Sequence, residues 1–219
     1  MNKNKKIAIL VALVIIVGII VALTAKFNVD LMTREHAQVQ LDLKKEFNVS
    51  DVKEITKEVF NGKEVEVQKV EVYEKQVLIS TSEITDEQKS NLVTKVNEKF
   101  GTEISNDSTE VVIVPRTKLT DIVTKYIWTF VITTVLVVIY EIIKYRKLGT
   151  LKVLLQTVVG IAALEAFVFS ISAITRIPIG VNIPSIMFTT YVISLFGLTS
   201  MFENNLKELK AEEAKNTKK

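Results

Sequence analysis

The sequence contains no cysteine and only one histidine, His36, among its 219 residues. The absence of cysteine excludes disulfides, thiolate chemistry and cysteine-based metal sites. His36 has no second histidine or paired carboxylate at ligand spacing, so we expect no metal site. The seven glycines lie too far apart to build a dinucleotide-binding or phosphate-binding loop, and the sequence offers no Ser-His or Cys-His pair. We therefore expect neither an enzyme nor a bound cofactor.

Charged residues are almost absent from four long apolar blocks and crowded between them. The blocks cover approximately residues 7–25, 122–143, 151–174 and 183–202. A helix rises 1.5 Å per residue, so each block is long enough to cross a hydrocarbon core of about 30 Å. The pattern predicts a multi-pass α-helical protein embedded in the lipid bilayer, and we expect no nucleic-acid partner.

The first block has two interpretations. It follows three lysines and runs for nineteen residues without a charge. A secretory signal has a shorter apolar region and a small-x-small cleavage site, whereas cleavage after Ala25 would place Leu23 at one of the small positions. A retained anchor fits better, and cleavage after Ala25 is the alternative.

Lysine and arginine in the short flanks indicate the orientation. They are concentrated before the first block, between the second and third blocks and after the fourth, whereas the loop between the third and fourth blocks has only Arg176. Such residues accumulate on the cytoplasmic side of a membrane. The pattern therefore predicts a protein of the plasma membrane with both termini in the cytoplasm. Residues 26–121 then lie outside, and their 14 basic against 19 acidic side chains give a net charge of −5.

These patterns divide the chain into four parts. Residues 1–25 form a cytoplasmic flank and an anchor helix, and residues 26–121 form an extracytoplasmic domain. Residues 122–202 form a bundle of three transmembrane helices, and residues 203–219 form a charged cytoplasmic tail. Glu203 and Lys207 are spaced as an i,i+4 pair, so we expect the fourth helix to continue into this tail.

The outer segment is predicted to be an α+β domain. Alternation of apolar and polar residues predicts strands at Ala37–Leu43, at Val77 and Ile79, and at Val111 and Ile113 before Pro115. Another strand contains Val65 and Val67, and its change of parity at Val70 and Val72 suggests a bulge. Two helices complete the domain. Ser50 caps the first, which ends at Asn61-Gly62, and a Thr85–Gln88 capping box begins the second, which ends before Gly101.

The predicted order is β-α-β-β-α-β, the ferredoxin-like arrangement of two helices on one face of a four-stranded antiparallel sheet. The opposite face would present polar residues, among them Gln38, Gln40 and Asp42. Antiparallel sheets often face water on one side, so a solvated face is one interpretation and a recognition surface is the other.

Two stretches of the sequence, one after the first apolar block and one before the second, resemble motifs of a known family. Residues 27–31 (Phe-Asn-Val-Asp-Leu) followed by residues 37–41 (Ala-Gln-Val-Gln-Leu) resemble the family's "G-I-D-F-T-G-G-T… V-Q-V" passage. Residues 112–115 with Leu119 resemble its "V-G-P-x-x-G-x-x-L" passage, and residues 202–204 (Phe-Glu-Asn) stand where the family has "F-D-R". These stretches, and the order of an anchor helix, a ferredoxin-like outer domain and a helical bundle, resemble the SecF family of protein-export subunits, relatives of the resistance-nodulation-division transporters. The resemblance covers nearly the whole chain.

The chain also departs from the family pattern. After Asp30, the family's Gly-Gly pair is replaced by Thr33-Arg34, so a close backbone approach that glycine permits is lost. Residues 196–200 replace a polar run in the fourth helix, and the family bundle has six helices where four are present here. The resemblance therefore implies a divergent, shortened relative.

Glu165 is the one ionisable residue deep inside an apolar block, and an intramembrane carboxylate is costly and often functional. The resemblance places it where SecF has an aspartate linked to proton movement, which makes it a proton-relay candidate. In the alternative, it forms structural hydrogen bonds to small polar residues of the fourth helix, namely Thr189, Thr190 and Ser194. Glu141 is expected near the cytoplasmic interface, where a polar residue costs little.

Two functions follow as hypotheses. The resemblance implies an accessory subunit of the Sec export machinery, working beside the translocation channel with a SecD-like partner on unfolded polypeptide and drawing energy from the proton gradient. The altered glycine pair and the depolarised fourth helix favour the alternative, a membrane scaffold or interaction protein without transport activity.

Overall fold

The computed structural model describes residues 3–73 and 75–216, which divide into two compact units. One unit contains the residues up to Asn28 together with those from Leu119 onward, and the other is Val29–Lys118. The helices are α1 (Lys3–Thr24), α2 (Val49–Phe60), α3 (Asp86–Phe100), α4 (Leu119–Lys144), α5 (Thr150–Thr175) and α6 (Ile183–Asn216). The strands are β1 (His36–Asp42), β2 (Val65–Lys69), β3 (Gln76–Thr81) and β4 (Val111–Val114).

The Val29–Lys118 unit is an antiparallel four-stranded sheet with two helices. The strand order is β2-β3-β1-β4, and every pairing is antiparallel. β1 is central, with Val39 opposite Ile79 of β3 on one side and opposite Val111 of β4 on the other. The structure shows the predicted four-stranded antiparallel sheet and two helices in this unit.

The core of this unit lies between one face of the sheet and the helices α2 and α3. Val39, Leu41 and Ile79 from the strands are buried together with Val52 of α2 and Leu92 of α3. Removing such a side chain from water stabilises the fold by about 1.5–3 kcal/mol. The alternation of apolar residues in β1 therefore determines which face of the sheet receives the helices.

Local hydrogen bonds define both ends of α3. The Thr85 side chain accepts from the backbone N–H of Gln88 at 3.2 Å, and the Gln88 side chain accepts from the N–H of Thr85. Gly101 ends the helix with a left-handed backbone, at φ +60°. The predicted capping box and helix end are confirmed.

Two local predictions for this unit are wrong. The N-cap of α2 is Asn48, whose side chain accepts from the N–H of Ser50, so Ser50 lies inside the helix. The predicted bulge, with β2 continuing through Val70 and Val72, is also wrong, because β2 ends at Lys69 and the chain turns there. The N–H of Tyr73 donates to the carbonyl of Val70, and Val72 is 82% exposed at the turn.

In the other unit, four helices within the described residues are long and apolar enough to cross a membrane: α1, α4, α5 and α6. Most of their large apolar side chains are exposed at the surface of the unit, as expected for side chains that face lipid. These four helices are consistent with the predicted multi-pass membrane protein.

Helix α1 packs mainly against α5, and the two helices run in the same direction. Gly18 of α1 meets Ser170 of α5, and further along both helices Ala25 meets Arg176. A Cβ atom at position 18 would overlap the Ser170 side chain. The absence of a side chain at Gly18 is therefore what allows the two backbones to approach so closely.

Helix α6 has 34 residues and so extends for about 51 Å, well beyond the thickness of a hydrocarbon core. The predicted continuation of this helix past Phe202 is confirmed as far as Asn216. Glu203 pairs with Lys144 of α4 at 3.2 Å rather than with Lys207, so the predicted i,i+4 pair is wrong. Lys218 and Lys219 of the predicted basic tail lie outside the described residues.

Candidate functional site

Glu165 lies in the middle of α5, about 22 Å along the helix from Thr150. Its side chain is partly buried, and both carboxyl oxygens are buried without a hydrogen-bond partner among the described residues. A buried polar group without a partner costs about 1–3 kcal/mol, so its presence in an apolar helix requires an explanation.

The structure does not bring Glu165 into hydrogen bonding with the three expected residues of α6. Thr189 is exposed, whereas Thr190 and Ser194 are buried. The Ser194 hydroxyl donates to the carbonyl of Thr190 in its own helix, at 2.9 Å. The expected structural hydrogen bonds are therefore not formed in the described part of the chain.

Glu141 of α4 is the centre of a polar cluster that sequence reasoning missed. The residue is only 1% exposed. The hydroxyl of Thr157 in α5 donates to one carboxyl oxygen at 2.6 Å, and the hydroxyl of Thr199 in α6 donates to the other at 3.3 Å. The sequence did not indicate this burial, which arises because three helices close around Glu141.

The two membrane carboxyl groups are therefore in opposite situations. Glu141 has both oxygens bonded by hydroxyls from two other helices, an arrangement that ties α4, α5 and α6 together. Glu165 has no such bonds in the described residues, so a proton can join or leave it without breaking one. The bonds fit a structural role for Glu141, and they give no such role to Glu165.

Aromatic and charged side chains surround the turn between α4 and α5. Tyr145 is fully buried and packs against Phe202 of α6, with their ring centroids 5.2 Å apart. The Lys144 ammonium lies 5.0 Å from the Tyr145 ring and pairs with Glu203. This cluster connects the middle of α6 to the end of α4.

Arg176, the one basic residue in the loop between α5 and α6, connects that loop to the end of α1. Its guanidinium donates to the carbonyls of Ala25 and Lys26, which lie at the negative end of the α1 dipole. Asn28 donates to the Arg176 carbonyl at 2.8 Å and accepts from the N–H of Ile179 at 3.0 Å. The link between α1 and the Val29–Lys118 unit therefore starts from a segment fixed by several hydrogen bonds.

Asp30, Thr33 and Arg34, the motif positions before the first strand, lie together in one short 3-10 turn. The Asp30 side chain accepts from the N–H of Thr33 at 2.8 Å and caps this turn. Thr33 is fully buried, and Arg34 forms an exposed ion pair with Glu64. The contacts of Asp30 and Arg34 are structural, whereas the Thr33 hydroxyl is buried without a hydrogen-bond partner among the described residues.

His36 is buried at the start of β1 rather than arranged as a ligand. Its Nδ1 lies 2.8 Å from the carbonyl of Arg34, and its Nε2 lies 3.1 Å from the side-chain nitrogen of Gln38. Among the described residues, no group of three or more histidine, cysteine, aspartate or glutamate side chains is arranged to hold a metal ion.

The face of the sheet opposite the helices carries a groove of about 460 Å³. Polar side chains of β1 and β3 line it, including Gln38, Gln40 and Gln76, and the loop before β4 contributes Glu103 and Glu110. Gln38 is partly exposed, and Gln40 and Asp42 are exposed. This face is polar, as predicted, and its polar side chains line a groove.

No family model matches the chain, and no curated protein or solved structure is significantly similar to it. A functional conclusion therefore depends on the order of the elements and on the sites described above.

Proposed function

We propose that this chain is an accessory subunit of the Sec protein-export machinery in the cytoplasmic membrane, a divergent relative of the SecF family. It would assist the passage of unfolded polypeptide beside the translocation channel, together with a SecD-like membrane partner. The observation that carries the proposal is the order of elements: one apolar helix, a β-α-β-β-α-β unit and then three more apolar helices. The two resembling sequence stretches lie at the start of this unit and at its junction with α4.

The strand order β2-β3-β1-β4, with both helices packed on one face, supports a ferredoxin-like assignment for the Val29–Lys118 unit. The charge distribution supports an extracytoplasmic location for it. Residues 26–121 carry a net charge of −5, whereas the rest of the chain carries +8. Basic flanks that remain in the cytoplasm would leave both chain termini on that side.

In this proposal Glu165 takes up and releases a proton within the membrane. Its support is the isolation of the carboxyl group, which lies mid-helix, without a hydrogen bond and without a basic partner among the described residues. Loss or gain of a proton there changes the charge inside α5, and α5 is the principal partner of the anchor helix α1. During export, this change of charge would shift α1 and the segment that connects it to the Val29–Lys118 unit.

A scaffold without transport activity is the second candidate, and one observation favours it. Glu141 is hydrogen-bonded to two other helices, whereas the Glu165 carboxyl has no hydrogen-bond partner in the described part of the protein. A scaffold needs a stable helix bundle, which the bonds of Glu141 provide, and it needs no proton path.

Depletion of the chain in its native cell separates the two candidates. Under the export proposal, uncleaved precursors of secreted proteins accumulate in the cytoplasm within a few generations, and expression of the wild-type chain reverses the accumulation. Under the scaffold candidate, precursor processing remains at its normal rate. Purification in mild detergent adds a second measurement, because a subunit co-purifies with a SecD-like protein and an isolated monomer contradicts the export proposal.

A further inference from the structure

Strand β4 is an edge strand without the usual protection of an edge. It pairs only with β1 among the described strands, so its other side carries no strand. Its four residues, Val111–Val114, are all β-branched and uncharged, and Pro115 protects only its end. Charged residues and proline are the common devices that keep edge strands from pairing with another chain.

The opposite edge of the sheet is protected by charge. Strand β2 contains Glu66 and Lys69, and both are exposed. In β4 the exposed side chains are apolar instead: Val112 is 51% exposed and Ile113 is 61% exposed. Successive residues of a strand point to opposite faces, so β4 offers an apolar contact on each face of the sheet.

The groove described above continues from this edge. β4 begins opposite Val39, so the last residues of β1, from Gln40 to Asp42, have a partner on β3 but none on the β4 side. The groove occupies this region and is lined by Val112, Gln40 and Asp42. An extended chain placed along β4 would therefore pass from an open backbone edge into a polar groove.

The charges of the groove indicate which chains it favours. Its ionisable side chains are Asp42, Glu103 and Glu110, with Lys44 as the single basic group. Asp42 bonds to the backbone N–H of Lys44, and Glu103 and Glu110 are exposed. Three carboxylates against one ammonium attract lysine or arginine in the occupant.

We propose that the β4 edge and the adjoining groove bind an extended polypeptide segment by strand addition, with a preference for β-branched residues and for lysine or arginine. Backbone hydrogen bonds along β4 would give affinity independent of sequence, and Val112 and the groove carboxylates would give the preference. This deepens the proposed function by naming the surface and the class of segment, and it rests on that function only for the source of the polypeptide.

The test uses the full chain in nanodiscs of zwitterionic lipid. The probe is a fluorescein-labelled nine-residue peptide in which valine alternates with threonine and lysine, and binding is followed by fluorescence anisotropy. We expect saturable binding that Val112→Lys weakens about tenfold, because the new charge blocks the edge and repels the probe. Val72→Lys is the matched control, since Val72 is an exposed valine on the β2–β3 turn, and it leaves binding unchanged.

A second peptide separates strand addition from simple charge attraction. It has the same sequence and charge but carries N-methyl groups on alternate residues, which removes backbone donors, and we expect binding to fall about tenfold. Equal binding of the two peptides, equal binding to the Val112→Lys variant, or no saturable binding of the first peptide overturns the inference. So does concentration-dependent dimerisation that Val112→Lys abolishes without any peptide binding, because the occupant is then a second copy.

The outcomes also distinguish this inference from the proposed function. Precursor accumulation on depletion, combined with no peptide binding, contradicts strand addition alone. Peptide binding combined with normal precursor processing contradicts the export role alone.

Discussion

Thr157 donates a hydrogen bond of 2.6 Å to the carboxyl group of Glu141, and both residues are almost completely buried although they belong to different helices. With the Thr199 hydroxyl on the second carboxyl oxygen, this pair forms a polar connection through the helices α4, α5 and α6. The membrane unit is therefore held by a specific polar contact as well as by apolar packing.

Replacement of Thr157 by valine tests that connection. Thr157→Val keeps the shape of the side chain but leaves a buried carboxyl oxygen without its donor, so we expect a loss of about 1–3 kcal/mol in stability. The measurement is the thermal unfolding midpoint of the detergent-solubilised protein. Thr189→Val removes an exposed hydroxyl and serves as the control, which should leave the midpoint unchanged. Equal midpoints for the two variants would contradict the structural role of Glu141.

Glu165→Gln separates stability from activity. Neither carboxyl oxygen has a hydrogen bond to lose in the described residues, so we expect no decrease in the unfolding midpoint. Under the proposed function, export of a secreted reporter and its dependence on pH both decrease, because glutamine cannot carry the proton. Glu208→Gln, an exposed site on α6, is the matched control. Normal export with a normal pH dependence in Glu165→Gln removes the proton role.

Gly18→Leu should separate α1 from α5. Any side chain at this position overlaps Ser170, and overpacking of this kind costs about 1–3 kcal/mol. We expect faster proteolysis of the link after α1 in the purified protein, since the Arg176 contacts at the end of the helix loosen. Gly197→Leu, where an added side chain enters open space, should leave the cleavage rate unchanged. Unaltered proteolysis of Gly18→Leu would show that the close approach is dispensable.

The Glu58–Lys95 pair predicts a small pH dependence of the stability of the Val29–Lys118 unit. The hydrogen bond and charge of Lys95 lower the pKa of Glu58 in the folded state. The pair therefore adds stability above the pKa that Glu58 has in the unfolded chain, and this contribution disappears as the pH falls through the lowered, folded-state pKa. The pair is exposed, so the effect is modest.

Hydrogen exchange of α2 and α3 in the full chain measures this effect. We expect the increase in exchange between pH 7 and pH 3, after correction for intrinsic rates, to be smaller in Glu58→Gln than in the wild type. Glu83→Gln, which removes an exposed carboxylate paired with Lys63, is a comparison at a different ion pair. An identical increase in Glu58→Gln and the wild type would show that Glu58 makes no contribution.

Local patterns predicted some features from the sequence, but they failed where two local solutions compete and where distant residues decide the structure. The Thr85–Gln88 capping box and the αL end at Gly101 are local, and both predictions are confirmed. The assignment of the α2 cap to Ser50 failed because Asn48, two residues earlier, is an equally good cap. Val70 and Val72 were misassigned because a change of apolar parity is compatible with a bulge or with a turn.

The membrane carboxyls illustrate the same limit. Glu165 could be singled out because it interrupts a long apolar block, and that signal lies within one helix. Glu141 could not, because it lies three residues from the basic Lys144 and its partners are 16 and 58 positions away. Only the packing of three helices makes Glu141 a buried residue, and no local pattern encodes that packing.

The parallel packing of α1 on α5 also has a consequence for the order of events during synthesis. α1 ends at Thr24, and its principal partner does not begin until Thr150. At 5–20 residues per second, a ribosome needs about 6 to 25 s to make the chain between them. During that interval α1 has only lipid or another protein as a neighbour, while the Val29–Lys118 unit and α4 are synthesised. The first helix of this protein therefore meets its principal partner only long after its own synthesis.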